Sequence, residues 1–301
     1  MAVGIWITVQ IGALICVSWL CAPVFYDIFR VMSRVLAGRH PFGDECRWHQ
    51  IARNWRHQGH ISLPPLLAIF SNSLAVAILP FFTLRHAFPA IGVPMTAGLL
   101  LCAALLPTWY VATQRGPGAP PIKQAEAQFL SSVRFVVIIL PLLAITGLII
   151  AIGFPYPTDP GDHALTHPDG FDTPLAGSVF CLGWVLIMSM IDGPVPPDTQ
   201  DLLLHAQPGR DRAIFKFSHD LNRFGWCLLA SNLIYPSGFC MMQSNFMTAM
   251  TALILRPLAG VCAVITIMAI WRVINHKPRL WPRIALICVA MLTILSGRML
   301  R

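Results

Sequence analysis

Residues 63–83 read LPPLLAIFSNSLAVAILPFFT, with no charged side chain anywhere in the run. Crossing the hydrocarbon core of a bilayer takes about 20 such residues. A helix of that length on a water-soluble protein needs a polar face, which this one lacks. Eight mostly apolar runs near that length occur, at roughly 3–23, 62–84, 91–113, 133–154, 175–191, 224–240, 245–270 and 281–298. Backbone polar groups in lipid must be satisfied within the segment, so eight apolar runs predict eight helices. The expected fold is all-α: a polytopic membrane protein of about eight transmembrane helices, with residues 1–301 as one integral membrane domain. Composition agrees, since 11% of residues are charged against about 25% in ordinary soluble domains. The first run starts at Val3 without a preceding Lys or Arg, so it reads as a retained span and not as a cleaved leader.

Charge sets the expected orientation. Of 21 basic residues, 16 fall in loops 26–59, 114–130, 192–223 and 271–283. Loop 155–174, on the opposite side, is acidic through Asp159, Asp162, Asp169 and Asp172. Lys and Arg collect on the cytoplasmic side, so both termini are expected away from the cytoplasm, in a multi-pass chain of a bacterial or archaeal cell membrane. The same bias explains the net charge of +8 without nucleic acid as a partner. By these bounds all 13 Asp and Glu lie in loops or at span ends, and Arg256 is the one plausible buried charge.

Four histidines, His40, His49, His57 and His60, stand in the first loop among Arg and Trp. A metal site wants carboxylates or cysteines nearby and few cations. The better reading is a basic, aromatic helix at the headgroup level or beneath a partner. Just before it, Phe25, Ile28, Phe29, Met32, Val35 and Leu36 recur at helical spacing, with Asp27, Arg30 and Arg34 between them. That pattern predicts an amphipathic cytoplasmic surface helix emerging from the first span, with Asp27 paired to Arg30 or Arg34. The nine cysteines are scattered without a Cys-x-x-Cys, which gives neither a disulfide framework nor an iron–sulfur cradle. The GPGAPP turn at 116–121 lacks the preceding strand and the Gly-Lys-Ser/Thr of a phosphate loop. After the fifth run, IDGPVPPDTQDLLLH at 191–205 is a stiff acidic loop.

Taken in order, APVFYDIFRVM (22–32), the run at 63–83, GPGAPPIKQAEAQFL (116–130) and VPPDTQDL (195–202) resemble one family. It is the eight-span membrane subunit shared by respiratory complex I (NADH dehydrogenase subunit 1) and membrane-bound nickel–iron hydrogenases (formate hydrogenlyase subunit 4, or hydrogenase-4 component C). The hydrogenase branch is the closer in length. The sequence departs from the family pattern at the fourth span, where Leu140 precedes Pro141 in place of a glutamate, and in the acidic loop, where Asp198 and Asp201 remain but Leu203 and His205 stand further on. The resemblance implies a membrane anchor and coupling subunit with no cofactor of its own. Iron–sulfur clusters, and nickel–iron or quinone chemistry, would belong to partner subunits. It implies a small iron–sulfur subunit and a hydrogenase-like large subunit on the cytoplasmic face, and antiporter-like subunits within the bilayer. It also implies that Asp27, Arg30, Glu126, Arg134, Asp192, Asp198, Asp201 and His205 serve a proton path or partner docking. The competing readings are a small solute transporter or channel, for which the two halves show no internal repeat, and a cytochrome b, for which the span interiors lack histidines.

Overall fold

The computed structural model describes residues 2–36, 45–57, 59, 61–78, 92–106, 137 and 209–234. Every regular element among them is helical: α1 (Ala2–Leu36), α2 (Arg47–Arg56), α3 (Leu63–Ile78), α4 (Gly92–Ala103) and α5 (Gly209–Ile234). The expected spans at 133–154, 175–191, 245–270 and 281–298 lie outside the described residues, apart from Val137. Among the described residues, one segment, Ile11–Ile28 of α1, is long and apolar enough to cross a membrane.

α3, and α1 in part, are built inside out relative to the helices of a soluble bundle. On α3, Leu63, Leu66, Leu67, Phe70 and Leu74 form an exposed row at helical spacing, while Pro65, Ala68, Asn72 and Ala75 are buried. On α1, Leu20, Val24 and Ile28 face outward and Ser18 and Ala22 are buried. Large apolar groups outside and small or polar groups inside suit a lipid environment, where helices associate by close backbone approach and interhelical hydrogen bonds. The amphipathic extension expected beyond the first span is continuous with it, because α1 runs to Leu36 through Pro23. Proline lacks the N–H that would reach the carbonyl four residues back, here Trp19, yet the helix continues.

α5 is the hub, touching α1, α2, α3 and α4. Its start corrects the sequence expectation. Residues 209–223 are not loop but the first half of a helix that begins well before the expected sixth span at 224–240. Asp211 and Asp220 therefore sit in a buried helix, which also corrects the placing of every acid in loops or at span ends. Ser62 at the head of α3 donates its backbone N–H to Asp211 Oδ1 at 2.9 Å and its hydroxyl to Oδ2 at 2.6 Å. Further along, Asn72 Nδ2 donates to Ser218 O at 2.9 Å and Oγ at 3.1 Å, and Asn222 Nδ2 donates to Asn72 Oδ1 at 2.8 Å. The two helices thus run side by side in the same direction.

α4 ends in a local break. Ala104 N–H reaches Leu100 O, but Leu105 N–H turns to Cys102 O, each at 3.0 Å. Pro107 follows in sequence, and a proline has no N–H to give the carbonyl four residues back. The Leu101 carbonyl, left by Leu105, accepts from Asn222 Nδ2 at 2.8 Å. Gly225 leaves room for the Leu101 side chain: a Cβ there would come within 2.7 Å of Leu101 Cδ2.

α2 runs antiparallel to α5. Arg47 lies at Asp220, Gln50 at Lys216, and Asn54 and His57 at Gly209. A Cβ at Gly209 would strike His57 Cβ and come to 2.8 Å from Asn54 O. Gly209→Ala is therefore expected to push the end of α2 off α5 at a cost of about 1–3 kcal/mol. Hydrogen exchange over 47–57 would read it as faster exchange confined to that helix.

Candidate functional site

Three elements meet at Arg47. Cys46, before α2, offers no side-chain cap. The helix-start donor of Arg47 is instead met from α1, where Asp27 Oδ2 accepts from Arg47 N–H at 2.8 Å and from Cys46 Sγ at 3.2 Å. An anion at a helix N-terminus is favoured by the orphan N–H groups and by the dipole. Asp27 Oδ1 pairs with Arg30 Nη2 at 3.3 Å, the i,i+3 contact legible in the sequence, and Arg30 also donates to Glu45 O at 3.3 Å.

The Arg47 guanidinium reaches α5. Its Nε and Nη2 donate to Asp220 Oδ2 and Oδ1 at 2.9 and 3.2 Å, a bidentate pair whose side chains are 3% and 0% exposed. Fork-to-carboxylate geometry fixes orientation as well as charge. The guanidinium also lies 4.4 Å from the Tyr26 ring centre, with Arg223 at 5.6 Å from the same ring. Gln50 Oε1 accepts from Arg47 Nη1 at 3.4 Å and from Lys216 Nζ at 3.3 Å. Aromatic packing closes one side: Phe25 against Phe224 at 5.2 Å, and Trp19 and Trp48 against Phe217 at 5.6 and 6.2 Å.

The level of this cluster follows from α3. Asn72 stands about 14 Å along that helix from Leu63 at 1.5 Å per residue, and its partners Ser218 and Asn222 bracket Asp220 on α5. The ion pair thus sits at the level of Asn72, on the side of α5 turned away from α3. Unpaired, either charge would be costly there; paired and hydrogen-bonded, it pins α2 to α5 in one register.

Of the residues singled out by sequence, Asp27 and Arg30 belong to this cluster. Glu126, Arg134, Asp192, Asp198, Asp201 and His205 lie outside the described residues. Arg47, Asp220, Tyr26 and Arg223 were not anticipated as a site. The signal for α5 was present in Pro208-Gly209 followed by Asp211 in the first turn, a helix-start pattern. The basic aromatic helix of the first loop exists as α2, but Arg47, Ile51 and Asn54 are buried, so it is packed into the bundle and does not merely rest on a surface. Trp48 is half-buried and Trp55 is 48% exposed. His49 and His57 are exposed, while His40 and His60 lie outside the described residues.

No family model matches the chain, and no curated protein does. Among solved structures, a chain from the structure of the membrane-bound sulfane sulfur reductase (MBS), an archaeal respiratory membrane complex, matches with a TM-score of 0.64. The match covers 97% of this chain and 99% of that one at 14% identity. The two chains share a fold. The likeness runs end to end, so it concerns the whole architecture and not one helical hairpin.

Proposed function

We propose that this chain is the membrane anchor and coupling subunit of a respiratory-type oxidoreductase complex, docking an iron–sulfur peripheral arm on its cytoplasmic face. The end-to-end fold likeness to a chain of a respiratory membrane complex carries this reading. The ordered motifs that resemble the complex I and hydrogenase subunit support it independently. In this reading the chain holds no redox centre, and clusters and electron chemistry reside in neighbouring subunits. The outward apolar row of α3 suits a place in the bilayer, beside antiporter-like subunits. With 209–223 helical, the docking loop narrows to residues 192–208. Its prolines stiffen it without regular backbone pairing, and Asp198 and Asp201 meet basic partner groups or pass protons toward the membrane.

Asp198→Asn with Asp201→Asn in the assembled complex tests the acidic loop. Electron transfer and proton movement are followed together in sealed vesicles. Loss of proton movement with electron transfer retained supports the proton route, and failure to assemble supports docking. Unchanged assembly and unchanged rates overturn both roles for these carboxylates.

A further inference from the structure

α2 presents two faces of different character. Its inner face packs on α5 through Arg47, Ile51 and Asn54. Its outer face exposes His49, Ala52, Arg53, Trp55, Arg56 and His57. Arg53 pairs with Glu45 at 2.6 Å with both side chains well exposed, so the face is polar and carries more positive than negative charge.

The register fixes where this face stands. Arg47 is level with Asp220 and hence with Asn72 of α3, and the far end of α2 is level with Gly209, next to Asp211 and Ser62. Through α5, the length of α2 therefore stands level with the first turns of α3, where Leu63, Leu66, Leu67 and Phe70 point outward. One flank of the bundle suits hydrocarbon and another flank, at the same level, does not. Arginines in a hydrocarbon environment are costly. A lipid headgroup would meet Arg56 near the Ser62 level but would not follow the face down to His49, about 10 Å further along at helical rise.

We propose that the outer face of α2 binds an acidic polypeptide segment of a partner subunit, which lies along this flank to the level of Asn72. The proposal rests on the reading of the chain as a subunit of a larger complex and names the chemistry of one contact. Carboxylates of the segment pair with Arg53 and Arg56, His49 extends the same row, and Trp55 supplies an aromatic anchor of the kind enriched at interfaces. The buried Arg47–Asp220 pair acts as the positioning device, because it holds α2 against α5 and so sets the angle at which the outer face is shown.

The test uses the complex in its native membrane. A photo-crosslinking amino acid is placed at Ala52 or at Trp55, with Leu67 on α3 as the comparison site, and products are identified by mass spectrometry after purification. The expected result is a polypeptide adduct from Ala52 and Trp55 mapping to an Asp/Glu-rich segment, and lipid adducts from Leu67. In parallel, Arg53→Glu with Arg56→Glu should lower recovery of that polypeptide by about tenfold or more through like-charge repulsion, with the abundance of this chain in the membrane unchanged. Arg53→Lys with Arg56→Lys should restore most of it. Lipid-only or solvent-only products at Ala52 and Trp55 overturn the proposal, as does an adduct on a basic or apolar segment. If wild-type complex carries electron-transfer subunits while Ala52 meets only lipid, this proposal fails and the proposed function stands. If Ala52 meets an acidic segment but no electron-transfer subunit is present, the proposed function fails and the docking face stands.

Discussion

Arg47→Met is expected to destabilise the protein by about 3–5 kcal/mol, the range for stripping one partner from a buried ion pair. The magnitude follows from what is left behind. Asp220 would keep its carboxylate in a fully buried position with both guanidinium bonds gone. Its remaining neighbours include His219 and Arg223 on its own helix and Asp27 on α1, and none replaces a bidentate fork. The double change Arg47→Met with Asp220→Leu should recover most of the loss, because well-packed apolar groups can replace a buried ion pair at little cost. Asp27 would still accept from the backbone N–H of residue 47, so the start of α2 stays capped in both variants. Unfolding of the purified protein in detergent, with hydrogen exchange over 47–57, distinguishes the outcomes. A single variant as stable as wild type would mean that water or another side chain already satisfies Asp220.

Asp211→Leu is expected to cost about 2–3 kcal/mol, set by two hydrogen bonds to a charged acceptor. Both come from Ser62, through backbone and hydroxyl, and tie the head of α3 to the first turn of α5. Asp211 is buried while Ser62 is exposed, so water takes over part of the lost bonding and the cost stays below the sum of two such bonds. Asp211→Asn keeps one oxygen and should recover part of the loss. Limited proteolysis between residues 57 and 62 reads the effect directly, with cleavage faster in the leucine variant and intermediate in the asparagine one.

Helix starts marked by an apolar run after a polar loop were legible in sequence. The expected spans at 62 and 91 match α3 from Leu63 and α4 from Gly92, because a sharp change in hydropathy and a proline near the helix start coincide there. The i,i+3 pair Asp27–Arg30 was legible because helical spacing alone brings the two together. The polar half of α5 was not legible. Seven ionisable side chains between Arg210 and Arg223 pull any hydropathy window below a span, so this stretch was expected as loop. What makes the helix tolerable is remote: Arg47 lies 173 positions from Asp220, and Asn72 lies 146 from Ser218. No local pattern carries such pairings. The same distance hid the role of Asp27, whose second task is to cap a helix it does not belong to.

The proposed function makes this chain one subunit of a membrane oxidoreductase complex. The most direct measurement is gentle-detergent purification from native membranes through a tag on this chain, followed by identification of the retained polypeptides and the visible and electron paramagnetic resonance spectra of the preparation. The account predicts an iron–sulfur signal and stoichiometric soluble and antiporter-like subunits, with the soluble ones lost when Arg47→Met loosens α2. A homogeneous chain without iron–sulfur signal or companion subunits, recovered intact and active in moving a solute across vesicles, would contradict it.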